Sequence, residues 1–138
     1  WMKALYCLFL DRDNVREGLK TILQAIDYVK EGISICIFPE GTRNTGEELS
    51  LLPFKGGALK IAEKSGAPII PMTIVNSAAV FEDHFPKIKK ATVVIEYGKP
   101  IYLNEMSREE KKVIGATVKA VIEETYFRNK EKYFGEAK

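Results

Sequence analysis

The sequence contains only one histidine, His84, and only two cysteines, Cys7 and Cys36, among its 138 residues. A zinc site needs several such ligands at characteristic spacings, and these isolated residues do not form a recognisable one. Both cysteines lie in apolar runs, which predicts buried, reduced thiols and not a disulfide. Such thiols are typical of a reducing compartment.

Two common catalytic motifs are also missing. No G-x-S-x-G pentapeptide occurs in the sequence, which excludes the usual elbow of a serine hydrolase. Gly41 and Gly46 have the glycine spacing of a phosphate-binding P-loop, but Glu47 and Glu48 follow where Lys and Ser or Thr are required. Nucleotide hydrolysis is therefore not predicted.

Long apolar runs and a strong charge of one sign are absent as well. No stretch approaches the roughly 20 apolar residues that a membrane-spanning helix needs. The net charge of +2 is too small to indicate a nucleic-acid partner, and no arginine-rich stripe occurs. A content of 46% hydrophobic and 29% charged residues is ordinary for a folded chain of this length. We therefore expect one globular domain with a real core.

The most informative stretch is the apolar run at residues 33–38 and the polar residues that follow it. The β-branched run predicts a buried strand that ends at Pro39, since proline has no N–H to donate. Glu40 and Arg43 would then lie on a strand-exit loop, where Gly41 lets the backbone approach a ligand. Arg43 offers a planar set of donors that suits phosphate or carboxylate. The alternative is a polar turn with one local ion pair.

Further strands and helices alternate along the chain. Buried strands are predicted at residues 4–10, 68–75 and 91–98, because each range is an apolar run that ends in charged or turn-forming residues. One amphipathic helix is predicted between an N-cap at Asn14 and a stop at Gly32, and a shorter helix ends at Gly66. A capping box at Ser107 and Glu110 begins the last helix, and the polar chain from Arg128 onward is expected to fray. This order predicts a single-domain α/β sandwich with a mostly buried central sheet flanked by helices.

The stretch Phe38-Pro39-Glu40-Gly41-Thr42-Arg43 resembles the third signature block of the glycerolipid acyltransferases, the PlsC-like family that includes lysophosphatidate acyltransferases. Leu8-Phe9-Leu10-Asp11-Arg12 is similar to the second block, and the apolar run around Pro71 is similar to the fourth. The blocks occur in the family's order. The resemblance implies a fold like that of the glycerol-3-phosphate acyltransferases.

The same resemblance implies roles for individual residues. Arg12 and Arg43 would hold the phosphate of the acceptor lipid, and the implied substrate-binding residues are Arg12, Glu40, Gly41, Thr42, Arg43 and Lys55. Ile70 and Pro71 would lie on the acyl-donor side. Simpler interpretations stay open for three of these features: charged residues around Arg12 that only solvate a loop, a solvated Lys55, and core packing around Pro71.

The family's first signature block has no counterpart in this sequence. That block is a histidine separated by four residues from an aspartate, and its histidine takes the proton of the acceptor hydroxyl. After His84, Lys89 stands where the aspartate is required, and His84 follows the other blocks when it should precede them. We therefore expect the chain, which begins with Trp1, to be the C-terminal portion of an acyltransferase domain with no catalytic residue of its own.

The resemblance implies transfer of a fatty acyl group from acyl-CoA or acyl-carrier protein to lysophosphatidate, with no metal or organic cofactor beyond the acyl carrier. Acceptor, acyl carrier and a membrane surface are the implied partners. The implied location is the cytoplasmic face of the membrane. The protein would be held there peripherally or through N-terminal sequence outside this chain. The alternative is a non-enzymatic phospholipid- or phosphate-binding module that keeps only the arginine clamp.

Overall fold

The computed structural model describes residues 1–10, 14–42, 51–54 and 56–135 of the chain. These ranges contain three α-helices and two β-strands: α1 (Val15–Lys30), α2 (Gly56–Ser65), β1 (Met72–Val75), β2 (Val94–Tyr97) and α3 (Arg108–Phe134). Short 3₁₀ turns are formed by Met2–Leu5, Ala78–Val80, Glu82–His84 and Leu103–Glu105. These three helices and two strands follow one another in the order that the sequence predicts for them.

Helix α1 begins and ends where the sequence predicts. The side chain of Asn14 accepts hydrogen bonds from the backbone N–H groups of Arg16 and Glu17, at 3.1 and 3.2 Å. At the other end, the N–H of Gly32 donates to Val29 and that of Ile33 donates to Tyr28. This pair of bonds is a Schellman motif, which needs a left-handed residue such as Gly32 with its φ of 90°.

The sheet lies between α2 and α3 in the chain and is antiparallel. Met72 pairs with Tyr97 and Val75 with Val94, and one isolated bridge joins Ile69 to Ile101. Thr73 and Val75 are buried, whereas Ile95 and Tyr97 are exposed. The predicted burial of the sheet therefore holds for one face of this strand pair.

Two small apolar clusters form the core. The first is made by Ala25 and Ile26 of α1 and Ile61 of α2, with Leu8 packed against it. An ideal Cβ at Gly57 would lie 3.1 Å from Cδ1 of Ile22, so α1 and α2 approach each other closely at that glycine. The second cluster joins α3 to α2 and the sheet; its buried members are Leu103, Ile114 and Val118.

Two of the predicted strands are wrong. Residues 2–5 form a 3₁₀ turn that is closed by local hydrogen bonds, such as that from the N–H of Cys7 to the carbonyl of Met2 at 3.1 Å. Residues 33–38 are not part of a strand. An apolar run becomes a strand only when a neighbouring strand accepts and donates its ladder bonds, and the ladder in the described residues joins β1 to β2 alone.

The predicted burial of several side chains is also wrong. Cys36 is exposed and Cys7 is half-buried, because the runs that contain them are not enclosed in a sheet. On α1, Leu19 and Leu23 are exposed although their helical spacing with Ile22 and Ile26 predicts one shared apolar face. The contact with α2 is made by Ile22 and Ile26.

The end of α3 differs most from its prediction. The helix continues to Phe134, although its last turns are polar. Asn129 is 2% exposed, and its Nδ2 donates to Oε2 of Glu96 on β2 at 2.8 Å. Arg128 pairs with the other oxygen of the same carboxylate. This contact with the sheet orders a segment that its composition alone would leave frayed.

Candidate functional site

The residues of the third signature block that the structure describes form a tight turn. The N–H of Gly41 donates to the carbonyl of Phe38 at 3.0 Å, which places Pro39 and Glu40 at the two central positions. Proline is favoured at the first of these because its φ is already fixed near the required value. Gly41 has a φ of 69°, a left-handed conformation that suits glycine.

The side chain of Glu40 is half-buried and points back to the protein's own backbone. Its Oε2 accepts a hydrogen bond from the N–H of Leu52 at 2.8 Å. The carbonyl of Leu51, in the same peptide group, accepts from Nζ of Lys119 on α3 at 2.6 Å. The turn at Glu40 is thereby connected to the chain that enters α2 and to α3.

The chain on both sides of Arg12 is attached to α1. The hydroxyl of Thr21 donates to the carbonyl of Phe9 at 3.2 Å, and Leu8 packs against the cluster around Ile26. After the segment that contains Arg12, Asn14 caps α1. Arg12 itself lies outside the described residues, so its predicted role stays a prediction.

Of the other predicted acceptor-binding residues, some lie within the described ranges and some lie outside them. Glu40, Gly41 and Thr42 are described and lie together in the turn, with Thr42 exposed. Arg43 and Lys55 lie outside the described residues. Their roles also stay predictions.

The two residues predicted for the acyl-donor side, Ile70 and Pro71, immediately precede β1. Pro71 is buried directly before β1, and its carbonyl accepts from the N–H of Gly98 at 2.8 Å. Ile70 is 52% exposed. The predicted strand therefore begins after its proline, which is one of the positions in a sheet that proline tolerates.

His84, the only histidine, lies in a 3₁₀ turn and is half-buried. Its backbone N–H donates to Phe81 at 3.0 Å, and its carbonyl accepts from Lys87 at 2.8 Å. These contacts shape the loop between β1 and β2, and we assign no chemistry to them.

The described ranges contain neither a metal-binding cluster of side chains nor a membrane-spanning helix. Among the residues described, no group of three or more His, Cys, Asp or Glu side chains is placed to hold a metal ion. In the same ranges, no helix combines the length and the apolar character needed to cross a membrane.

The sequence missed Lys119 as a residue connected with this site. It is 68 positions away from Leu51 along the chain, on a helix whose pattern indicates only packing. No local motif signals a lysine that binds a distant backbone carbonyl, so only the tertiary structure identifies it.

Comparison with known proteins places these residues in a family. The profile of the Acyltransferase family matches residues 1–75, a range that includes the turn at Glu40 and both predicted arginines. The 1-acyl-sn-glycerol-3-phosphate acyltransferase of Salmonella typhimurium is 32% identical over 118 residues, which cover 85% of this chain and 46% of that protein. The enzyme of the same name from Saccharomyces cerevisiae is 30% identical over 112 residues, which cover 80% of this chain and 37% of that protein.

A solved structure shows the same fold. The crystal structure of the 1-acyl-sn-glycerophosphate (LPA) acyltransferase, PlsC, from Thermotoga maritima matches with a TM-score of 0.71 and 25% identity, over 90% of this chain and 47% of that one. This match confirms the predicted α/β acyltransferase fold. The chain spans less than half the length of each of these relatives. Since the family profile covers more than half of its residues, the chain belongs to the acyltransferase family.

Proposed function

We propose that the protein carrying this chain transfers a fatty acyl group from acyl-CoA or acyl-carrier protein to the free hydroxyl of lysophosphatidate, which gives phosphatidate for phospholipid biosynthesis. The observation that carries the proposal is the family match over residues 1–75, with relatives named for this acyl transfer. The match includes every residue that the sequence assigns to the acceptor, Arg12, Glu40, Gly41, Thr42, Arg43 and Lys55.

The reaction needs a clamp for the acceptor's phosphate, and we assign it to Arg12 and Arg43. The described residues on either side support this assignment. The carbonyl of Phe9 is bonded to Thr21 on α1, Asn14 caps α1, and Glu40 is bonded to Leu52, so the described residues nearest to the two arginines in the chain are held by hydrogen bonds. A charged hydrogen bond to phosphate contributes about 1.5–3 kcal/mol, which makes two arginines a major part of acceptor positioning.

The acyl group moves without a metal or an organic cofactor in this proposal. The hydroxyl oxygen attacks the thioester carbonyl, the carbon–sulfur bond breaks, and the carrier leaves as a thiol. The hydroxyl proton goes to a base and from that base to the leaving sulfur. The family resemblance assigns the base to a histidine–aspartate block that this chain lacks. Holding the hydroxyl in place is the contribution that we assign to this chain.

The acceptor and the product are lipids, so we also propose that the protein works at a membrane surface, on its cytoplasmic face. The loop between β1 and β2 supports a surface contact. Phe85 is 74% and Ile88 is 78% exposed, and Lys87, Lys89 and Lys90 are exposed beside them. Apolar tips next to lysines suit an anionic lipid surface.

Replacement of the arginines tests the acyltransferase proposal. In the complete gene product, Arg12→Ala or Arg43→Ala should reduce kcat/KM for lysophosphatidate by about tenfold or more. Arg→Lys at either position should retain only part of the wild-type kcat/KM, because an ammonium lacks the planar set of donors. Steady-state kinetics with varied acceptor and saturating donor measure the effect.

Arg16→Ala is the matched control, since Arg16 is an exposed arginine on the first turn of α1. Its kinetics should equal those of the wild type. Arginine variants at 12 and 43 that behave like this control would refute the clamp. Retention of lysophosphatidate without any acyl transfer would instead identify a lipid-binding module.

A further inference from the structure

The peptide group between Leu51 and Leu52 is bound by a negatively charged side chain at its N–H and by a positively charged side chain at its carbonyl. Its N–H donates to the Glu40 carboxylate at 2.8 Å, and its carbonyl accepts from the Lys119 ammonium at 2.6 Å. All three partners come from separate parts of the chain: the turn after residue 38, the segment that leads into α2, and helix α3. Both hydrogen bonds are partly shielded from water.

The two charges match the dipole of the peptide group. The N–H is the positive end of that dipole and faces the carboxylate, whereas the carbonyl is the negative end and faces the ammonium. Each contact is a charge-assisted hydrogen bond, which is shorter and stronger than a neutral one. Each charge also polarises the peptide in the direction that strengthens the other bond.

The carbonyl is the principal partner of Lys119. Among the described residues, the Glu123 carboxylate, one turn further along α3, also lies near its Nζ, at 3.7 Å compared with 2.6 Å for the carbonyl. The Lys119 side chain is only 30% exposed, so its direction is restricted by its surroundings. It points from α3 to the segment before α2.

We propose that Lys119 is a positioning residue for the acceptor site, acting on Glu40 through the Leu51–Leu52 peptide. The ammonium fixes the carbonyl, the rigid peptide plane fixes the N–H at its other end, and the N–H fixes the Glu40 carboxylate at the turn. This inference rests on the proposed function, because it gives Glu40 its importance at the acceptor site. It adds a residue of α3 that no signature block contains.

Hydrogen exchange at one amide tests the contact in this chain without any activity measurement. Lys119→Met removes the ammonium and keeps most of the side-chain length, so the Leu52 N–H should exchange about tenfold faster or more. Lys119→Arg should restore protection, because the guanidinium still donates. Lys112→Met is the matched control: Lys112 is on the same helix but pairs with Glu109 at 2.9 Å, and its loss should leave Leu52 unchanged.

Kinetics of the complete gene product test the consequence. Lys119→Met should raise KM for lysophosphatidate about fivefold to tenfold, with kcat and the unfolding temperature close to wild type, and Lys119→Arg should return KM toward normal. Lys119→Leu, which also lacks a donor, replaces the methionine variant if that one does not fold.

The two measurements separate the possible failures. Unchanged Leu52 exchange in Lys119→Met, or equal acceleration in Lys112→Met, would overturn the positioning role. Faster exchange with an unchanged KM would show a contact that does not reach the acceptor site, which also overturns it. A wild-type gene product without acyl transfer would refute the proposed function, while the exchange experiment would still decide whether the contact holds the turn.

Discussion

Glu110 shows how a single side chain can make the stability of the folded state depend on pH. Its Oε2 accepts from the backbone N–H of Ser107 at 2.7 Å, while its own N–H donates to the Ser107 hydroxyl at 3.3 Å. The side-chain and backbone hydrogen bonds of Ser107 lower the pKa of Glu110 below its ordinary value of 4.5. These bonds belong to the folded state, because unfolding separates the capping-box partners.

The sign of the effect follows from linkage. A carboxyl whose pKa is lowered by folding stabilises the folded state at pH values above the unfolded pKa, and this contribution is lost as pH falls through the folded pKa. The wild type should therefore be more stable than Glu110→Gln near neutral pH, and the difference should shrink below the ordinary value of 4.5. Urea unfolding of both proteins across this range measures it. Glu109→Gln, at the neighbouring position that takes no part in the capping-box bonds, should not reproduce the pattern. A difference that stays constant with pH would contradict the prediction.

For Glu40, another single residue, the structure adds a partner to those that the sequence predicts. Its residue type and its place after an apolar run indicated an acceptor of hydrogen bonds from a ligand or an arginine. The structure adds a backbone donor, the N–H of Leu52. An acidic side chain at a turn thus also organises the backbone around it, which is a function that residue type cannot reveal.

Among the elements, α3 depends most on contacts with another element. Its polar last turns are ordered by the Glu96 carboxylate of β2, which binds buried Asn129 and exposed Arg128. Asn129→Ala should lower the free energy of unfolding by about 1.5–3 kcal/mol, since it removes a buried donor to a charged group. Arg128→Ala should cost at most about 1 kcal/mol, because its ion pair is exposed to solvent.

Chemical denaturation gives the free energy of unfolding of the two variants. The comparison shows how much the buried donor, Asn129, and the exposed donor, Arg128, each contribute through the same carboxylate. Hydrogen exchange in the last turns of α3 should rise more in Asn129→Ala than in Arg128→Ala. Equal destabilisation by the two changes would contradict the assignment of the helix end to the buried bond.

At the scale of the whole molecule, two sets of exposed apolar residues are candidates for the proposed membrane contact. One is the loop of Phe85 and Ile88 with its lysines. The other candidates are the exposed residues Trp1, Leu5 and Phe9 near the N-terminus and Leu19 and Leu23 on α1. The loop combines apolar tips with three lysines, which is why we assign the anionic surface to it.

Vesicle binding tests that assignment. Replacement of Lys87, Lys89 and Lys90 by Ser should weaken binding to phosphatidylglycerol vesicles by about 100-fold, if each lysine contributes about 1 kcal/mol. The same lysine replacements should change binding to phosphatidylcholine vesicles little. Phe85→Ser with Ile88→Ser should weaken binding to both kinds of vesicle. Co-sedimentation gives the affinities, and Val113→Ser, an exposed apolar residue of α3, is the control. Loss of binding in Leu19→Ser with Leu23→Ser, but not in the loop variants, would assign the contact to the other surface.

The sequence by itself determined the features whose interactions are local. The cap at Asn14, the stop at Gly32 and the capping box at Ser107 all depend on bonds between residues at most five positions apart. Their residue types therefore predict them, and the order of the signature blocks predicted the family that the comparisons confirm.

The tertiary structure decided everything that needs a distant partner. Residues 33–38 have strand composition but no ladder partner among the described residues, and α3 extends past Arg128 because Glu96 lies 33 positions from Asn129. Lys119 reaches Leu51 across 68 positions. Such contacts form only after the loops between them have closed, at an entropic cost that no local pattern records, so they are known only from the folded chain.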